Sequence, residues 1–468
     1  MRVLLARPPR RDASDAGLPV PPLGLAYLAA VMRDAGRPVT LIDAYALGWS
    51  WDRFVREVAT IRPDVLGLGA MTPVVDVAWR AAELCRPHVG RVVLGGPHPT
   101  AVGADALEEH PAIDHAVVGE GEEILLPYLD WVESGERKDP PPGVHARGRP
   151  FAAHRPRRAI TDIPWPARDL LPRGGYRYLM ATRPGFATMI SSRGCPFRCS
   201  FCDKGVSGSA WRARPAEDVV DELQHLERDL GIGFVNFYDD NFTLKRGRVA
   251  AICEEILRRG LRLEWKCEGR VDGVDEELLR LMRRAGCRVV AYGVESANPD
   301  TLSMLRKDID PDEVERAFAA TKAAGLRSVA YLILGAPGEG ADGVRETLRF
   351  VQRIGADYAQ FSSLVALPGT PLFAQYSHAD ADVRNPVDGD LRRKTVTDLA
   401  PDALAALMRQ AWRGFYLRPR PLARLARDAV ASGAGAEAAR LGVAMARWSM
   451  QGRGWHPDER WRWRAARG

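Results

Sequence analysis

Lysine is nearly absent from this 468-residue chain, with 7 lysines against 59 arginines. Beside so much alanine, glycine and proline, that imbalance reads as a compositional bias, and a net charge of +6 is a weak electrostatic footprint. No groove-reading motif accompanies the charge, so no nucleic-acid partner is expected. Long apolar runs are also missing. Nothing approaches the roughly 18 uncharged residues that a membrane span needs, so no membrane span is expected. The first nine residues are charged too soon and too briefly apolar for a signal peptide, and the expectation is a cytoplasmic protein. Hydrophobic residues at 46% and charged residues at 27% are ordinary globular values, which exclude a disordered or collagen-like chain. At roughly 100–200 residues per domain, the length argues for two to four domains.

Cysteine is scarce too. Seven thiols in a chain of this kind do not suggest a disulfide framework. Three of them nevertheless crowd into Cys195-Pro196-Phe197-Arg198-Cys199-Ser200-Phe201-Cys202. Scattered at random, they would take this spacing about 0.002 times per chain. Thiolates this close are metal ligands first. Structural zinc wants four protein ligands, and the nearest histidines, His154 and His225, lie far outside finger spacing. An iron–sulfur cluster with three cysteine ligands fits better, and it leaves one iron open to a small molecule.

The spacing Cys195-x3-Cys199-x2-Cys202, with Phe201 before the last cysteine, resembles the motif of the radical S-adenosylmethionine (radical SAM) enzymes. The resemblance implies a [4Fe-4S] cluster on Cys195, Cys199 and Cys202, with S-adenosylmethionine at its open iron. It also implies an external one-electron reductant and cleavage of S-adenosylmethionine to a 5′-deoxyadenosyl radical.

From Ala187 onward, short apolar runs alternate with helical patterns, as in a parallel sheet. Strands are expected at 188–191, 234–238, 262–267, 288–292, 328–334 and 358–364. Helices are expected at 215–230, 249–259, 275–285, 311–324 and 343–354. By resemblance this is a partial (β/α)6 radical SAM barrel over residues 186–375. Parallel barrels place chemistry at the carboxyl ends of their strands. Asp239-Asp240-Asn241, Glu268 with Arg270, Glu295-Ser296, the turn 335–339 and Pro368-Gly369-Thr370-Pro371 all fall there. Each also reads as ordinary turn chemistry, but five in register at one end favour function. Asp239, Asp240 and Glu268 are the catalytic candidates, as acid or base. The resemblance assigns Phe201, Arg270, Glu295, Ser296, Gly335, Pro337, Gly338 and Glu339 to S-adenosylmethionine. The Glu295-Ser296 pair would meet its ribose or methionine part, the glycine turn would run beside adenine, and the Arg270 fork would take its carboxylate. Cys267 sits near this mouth but reads equally as a buried thiol; Cys85, Cys253 and Cys287 read as core.

Residues 1–135 carry a second α/β pattern, with strands at 2–6, 39–43, 65–69, 91–94 and 113–118 and helices at 23–35, 51–61 and 75–85. This describes an open, doubly wound, Rossmann-like sheet whose ligand lies beyond the strand C-termini. Arg7-Pro8-Pro9 stands where a dinucleotide fold has its glycine-rich turn, so NAD or FAD is not expected. The stretches 21–25, 94–100 and 117–122 are similar to the cobalamin-binding domain attached to many radical SAM enzymes. The stretch 162–172 looks like the linker of that class. The resemblance implies cobalamin contacts at Leu23, Thr72, Gly95, Gly96, His98, Gly119, Glu120 and Gly121. The Asp-x-His-x-x-Gly loop that supplies cobalt with a histidine is absent. His98 is then the candidate contact for the cobalamin tail, with a merely solvated loop histidine as the plainer reading.

Residues 136–185 read as a Pro/Arg-rich linker and 376–468 as a C-terminal helical extension, with helices at 404–416, 422–430 and 436–450. For Trp412, Trp448, Trp455, Trp461 and Trp463, packing within a small helical domain is preferred to capping the substrate cavity or docking a partner. The expected function is cobalamin-dependent C-methylation of an unactivated carbon in a small-molecule substrate. The alternative is a cobalamin-independent dehydratase, epimerase or cyclase acting on a sugar-like metabolite, with the cobalamin-type domain kept as scaffold.

Overall fold

A computed structural model describes residues 1–11, 18–156, 159–376 and 396–433, with positions 435, 439, 442 and 443 beyond them. Its first sheet is built in chain order from β1 (Val3–Arg7), α1 (Leu23–Asp34), β2 (Val39–Asp43), α2 (Trp51–Ile61), β3 (Val65–Gly69), α3 (Val75–Cys85) and β4 (Arg91–Gly95). There follow α4 (Pro97–Val102), α5 (Asp105–Glu108), β5 (His115–Val117), α6 (Leu125–Glu133) and β6 (Val144–Ala146). The strand order is β2-β1-β3-β4-β5-β6, parallel except for β6. Parallel strands are covered on both faces, which is why they read as unbroken apolar runs. Leu4, Ala6, Leu66 and Leu68 pack toward α2 and α3 on one face. Val3, Leu5 and Val93 meet α1 and α6 on the other. The sixth strand comes from within the stretch read as linker; three residues beside a Pro-rich run are too few to show a period. Gly96, at φ +101°, turns β4 into α4 at a point where a Cβ would lie 2.9 Å from the Ala70 carbonyl oxygen.

The second sheet opens with β7 (Phe186–Met189); β8 (Ser192–Arg193) and β9 (Arg212–Ala213) follow as a separate antiparallel pair, and the sheet resumes with α7 (Ala216–Arg228), β10 (Phe234–Phe237) and α8 (Arg246–Arg259). It continues through β11 (Glu264–Gly269), α9 (Glu276–Arg284), β12 (Cys287–Glu295), α10 (Pro299–Met304), α11 (Pro311–Ala323), β13 (Arg327–Leu334), α12 (Ala341–Arg353) and β14 (Tyr358–Ser363). The six long strands pair in sequence order, all parallel, which is the expected partial barrel. Cys253, Cys267 and Cys287 are all buried in the layer between strands and outer helices. Cys267 thus belongs to the core and not to the mouth.

After α13 (Pro371–Tyr376) come α14 (Pro401–Tyr416) and α15 (Pro419–Ala431). Leu407, Ala411 and Phe415 of α14 join the barrel core, so α14 is the outer helix of the sixth strand. Trp412 stacks on Tyr416 at 4.7 Å and meets Phe361 of β14 edge-on at 6.0 Å, so it packs on the barrel and not within a separate bundle. Trp448, Trp455, Trp461 and Trp463 lie outside the described residues, as does nearly all of the third expected helix. No helix among the described residues is long and apolar enough to cross a membrane.

The linker fastens both halves. The Ala167 N–H donates to the Ala26 carbonyl of α1 at 3.0 Å, and Asp169 pairs with Arg33 at 2.8 Å. On the barrel side Arg168 pairs with Glu222 of α7 at 2.6 Å and donates to the Thr188 carbonyl at 2.8 Å.

Candidate active site

Cys195, Cys199 and Cys202 lie on the loop between β8 and β9, each half-buried and each a free thiol. Among the described residues no three His, Cys, Asp or Glu side chains converge tightly enough to hold a single ion. The three sulfurs still sense one another's charge. Three soft thiol donors on one loop suit an iron–sulfur cluster. Burial pushes the Cys202 thiol up to about 11 and raises Cys199, which Lys307 and Arg270 pull back down. A cluster binds thiolates, so those two cations favour loading.

The loop is braced from three sides. Ser200 donates its N–H to the Leu305 carbonyl at 2.9 Å and accepts the Leu372 N–H on its own carbonyl at 2.8 Å. Arg270 lies 3.8 Å over the Phe197 ring. Its guanidinium donates to Asp272 and to the carbonyls of Lys307 and Asp308, at 2.8–3.0 Å. Four of its five N–H groups are thereby engaged, so Arg270 props the loop and does not present an open fork to a carboxylate. Asp240 accepts the Gly194 N–H at 2.8 Å, just before Cys195. Glu295, Arg306 and Asp308 all adopt left-handed φ of +49° to +64° beside this loop. Such strain gathers where the surroundings over-determine a functional geometry.

Other expected residues turn inward. Asp239 accepts the Ser191 N–H at 2.7 Å and the Ser191 and Ser192 hydroxyls at 2.6 and 2.5 Å, and is buried. Its carboxylate ties the end of β7 to the end of β10. Ser296 donates to Glu339 at 2.9 Å, and Glu339 takes the Gly335 N–H at 2.7 Å; both side chains are sealed from solvent. Burial raises the Glu339 carboxyl above its ordinary value against the pull of those donors. Gly335 sits under Leu404, the Gly338 N–H is taken by Asp398, and Phe201 packs beside Ile333 and Leu372. Glu295 pairs with Lys307 at 2.7 Å, and Pro337 is half-buried at the turn.

The C-terminal edge of the first sheet faces this mouth. Burial raises the Tyr238 phenol, and Lys266 and Arg7 both lower it, which sets the end of β1 against the end of β10. Glu120 and Glu122 receive Arg193 at 3.0 and 2.6 Å, and Glu120 also binds Arg212. Glu120 therefore holds the two domains together. His98 is buried, with Nδ1 at 3.2 Å from the Thr72 hydroxyl and Nε2 at 2.8 Å from Glu109. It is neither solvated nor free to meet a cobalamin tail. The Gly119 N–H donates to Thr100 at 3.0 Å, Gly121 lies against Leu28, Gly95 ends β4, and Leu23 packs with Tyr27 and Ile163.

Sequence reasoning missed Glu122, Arg193, Arg212, Lys307, Lys266 and Tyr331. For Lys266 a signal existed: a lysine alternating with Trp265 and Cys267 on a core strand must face the barrel interior.

The family model of the Radical SAM superfamily matches residues 189–351, and that of the B12 binding domain matches residues 12–127. A protein of Pyrococcus horikoshii named as an uncharacterized methyltransferase is 32% identical over 439 residues, covering 90% of this chain and 94% of its own. The anaerobic magnesium-protoporphyrin IX monomethyl ester cyclase of Rubrivivax gelatinosus is 31% identical over 374 residues, covering 76% and 66%. Among solved structures, the radical S-adenosylmethionine methyltransferase TsrM from Kitasatospora setae superposes with a TM-score of 0.68 at 22% identity, over 81% of this chain and 78% of that one. The cobalamin-dependent enzyme OxsB gives 0.70 at 16% identity, over 96% and 73%, which is likeness of fold. The chain belongs to the radical SAM superfamily and joins that superfamily's barrel to a B12 binding domain.

Proposed function

We propose that this protein is a cobalamin-dependent radical SAM methyltransferase that adds a methyl group to an unactivated carbon of a small molecule. The carrying observation is the seam itself: the cysteine loop at the barrel mouth is locked by Arg193 onto the loop after β5 of the cobalamin-type sheet. When bound, the cluster supplies an electron to S-adenosylmethionine, cobalamin carries methyl, and the protein's share is placement. Cys195, Cys199 and Cys202 hold the cluster. Arg270, Asp240 and Ser200 fix their loop, and the strained Glu295 with Lys307 lines the S-adenosylmethionine side. Asp239, Ser296 and Glu339 serve by positioning these loops. The cobalamin would lie between the sheet edges, over the loops after β3, β4 and β5, with no histidine from His98. An external one-electron reductant is required, and no nucleic acid takes part.

The similarity to a named cyclase keeps ring closure as a second reading. Anaerobic reconstitution with iron, sulfide and hydroxocobalamin tests both. About four irons and one cobalt per chain, with S-adenosylhomocysteine formed beside 5′-deoxyadenosine, are expected of the methyltransferase. Four irons without cobalt, and 5′-deoxyadenosine alone, would transfer the assignment to a cobalamin-independent reaction such as ring closure.

A further inference from the structure

The barrel interior carries a charged group that the loops at the mouth do not need. β11 sends Trp265 and Cys267 outward into the core and Lys266 and Glu268 inward. The Lys266 side chain is 1% exposed. Its Nζ lies 2.9 Å from Glu268 Oε1, 3.4 Å from the Tyr331 hydroxyl and 3.5 Å from Asn236 Oδ1. Tyr331 also donates to Glu268 Oε1, at 3.0 Å. One carboxylate oxygen thus takes both donors. The other, Oε2, has no partner among the described residues, on a side chain 35% exposed.

Register extends the same layer around the lumen. Asn236 of β10 is paired with Lys266, and Tyr331 of β13 with the exposed Gln360 of β14. Tyr238, 39% exposed, stands above it. Small parallel barrels fill this space with branched apolar side chains. A lysine sealed there is costly unless paired, and an apolar pair of similar volume would serve folding as well or better. Burial lowers the Lys266 ammonium, but the surrounding Tyr178, Glu268 and Tyr331 oxygens more than offset it, leaving it above the ordinary lysine value.

We propose that Lys266 and Tyr331 orient Glu268 so that its Oε2 receives a hydrogen-bond donor of the substrate, which is therefore a molecule bearing a hydroxyl or amine and not a bare hydrocarbon. Lys266 and Tyr331 are positioning residues, and Glu268 is the specificity-determining contact. A substrate without a donor leaves Oε2 desolvated and unpaired, which is how sites built around a hydrogen bond reject analogues. This rests on the methyltransferase reading for the place of the substrate, the barrel lumen below the cysteine loop.

The test is equilibrium binding to unreduced holoenzyme with S-adenosylmethionine present, by calorimetry, with cyclohexanol, cyclohexylamine and methylcyclohexane as probes. At least one donor probe should bind tenfold or more tightly than methylcyclohexane. In E268Q the amide oxygen stays with Lys266 and Tyr331, and its N–H2 group takes the place of Oε2. Cyclohexanol, whose hydroxyl can also accept, should therefore keep a preference, and protonated cyclohexylamine, which cannot, should lose it, which tells the two donors apart. The double variant K266M/E268M removes both charges at similar volume, leaves no unmatched ion, and should abolish the preference. Equal binding of all three probes to the wild type, or an unchanged preference in the double variant, overturns the proposal. Formation of S-adenosylhomocysteine beside 5′-deoxyadenosine on reducing the wild type without any probe tests the underlying reading separately.

Discussion

Arg193 and Glu122 meet at 2.6 Å across the seam between the two sheets, and the side chains of both are less than 10% exposed. Arg193 lies two residues before Cys195, so the geometry of the cysteine loop depends on a residue 71 positions away in sequence. Removing one partner of a buried ion group leaves the others unmatched, at about 3–5 kcal/mol. Arg193→Ala should lower the thermal midpoint and open the linker to limited proteolysis. An unchanged midpoint and digestion pattern would show the seam to be incidental.

Each of Cys195→Ala, Cys199→Ala and Cys202→Ala should abolish the iron–sulfur absorbance and the 5′-deoxyadenosine product after anaerobic reconstitution. Cys85→Ala, a change in the core of the first sheet, should leave iron content as in the wild type. Iron loss in Cys85→Ala, or retention of the iron–sulfur absorbance in any of the three loop variants, contradicts the assignment of ligands.

The Glu339 carboxyl is raised by burial from an ordinary value of 4.5. It keeps its proton in the folded state at a pH where the unfolded chain has released it. The stability it contributes is complete below 4.5 and is lost as pH rises through the folded value. Glu339→Gln removes this titration. Urea midpoints taken from pH 5 to pH 8 should therefore shift in favour of E339Q as pH increases; a constant gap between the two proteins would falsify the linkage.

Cobalamin bound to this protein should take no nitrogen from His98, since both ring nitrogens are already held by Thr72 and Glu109. Electron paramagnetic resonance of the cob(II)alamin-loaded protein should be the same in His98→Ala as in the wild type. The variant should lose about 1–3 kcal/mol of stability, because Thr72 and Glu109 lose a buried partner. A nitrogen splitting present in the wild type and missing in the variant would reverse this reading.

The two sheets were legible because parallel strands buried on both faces leave apolar runs such as Val3-Leu4-Leu5-Ala6. The cysteine triad was legible because a cluster's ligands lie close together in sequence. β6 was not, since Val144-His145-Ala146 shows no period in three residues, and α4 begins Pro97-His98-Pro99, which reads as a turn. Position after a strand located Ser296, Glu339 and Asp239 correctly at the barrel end. It could not say that they face inward, onto Thr347, Gly335 and Ser191. Pairs such as Arg193–Glu122 follow from how two domains dock, and no local pattern encodes that.

The strap between the sheets, with Ala167 and Asp169 on α1 and Arg168 on α7, bears on how such a chain can be recombined. A chimaera that exchanges the first half for that of a relative would import an α1 without the strap it grips. The Arg168–Glu222 pair would survive that exchange, since both partners stay with the barrel. A crossover beyond residue 172 keeps the strap with the α1 it grips, and the barrel it meets must then offer an acid at position 222 to the strap's arginine.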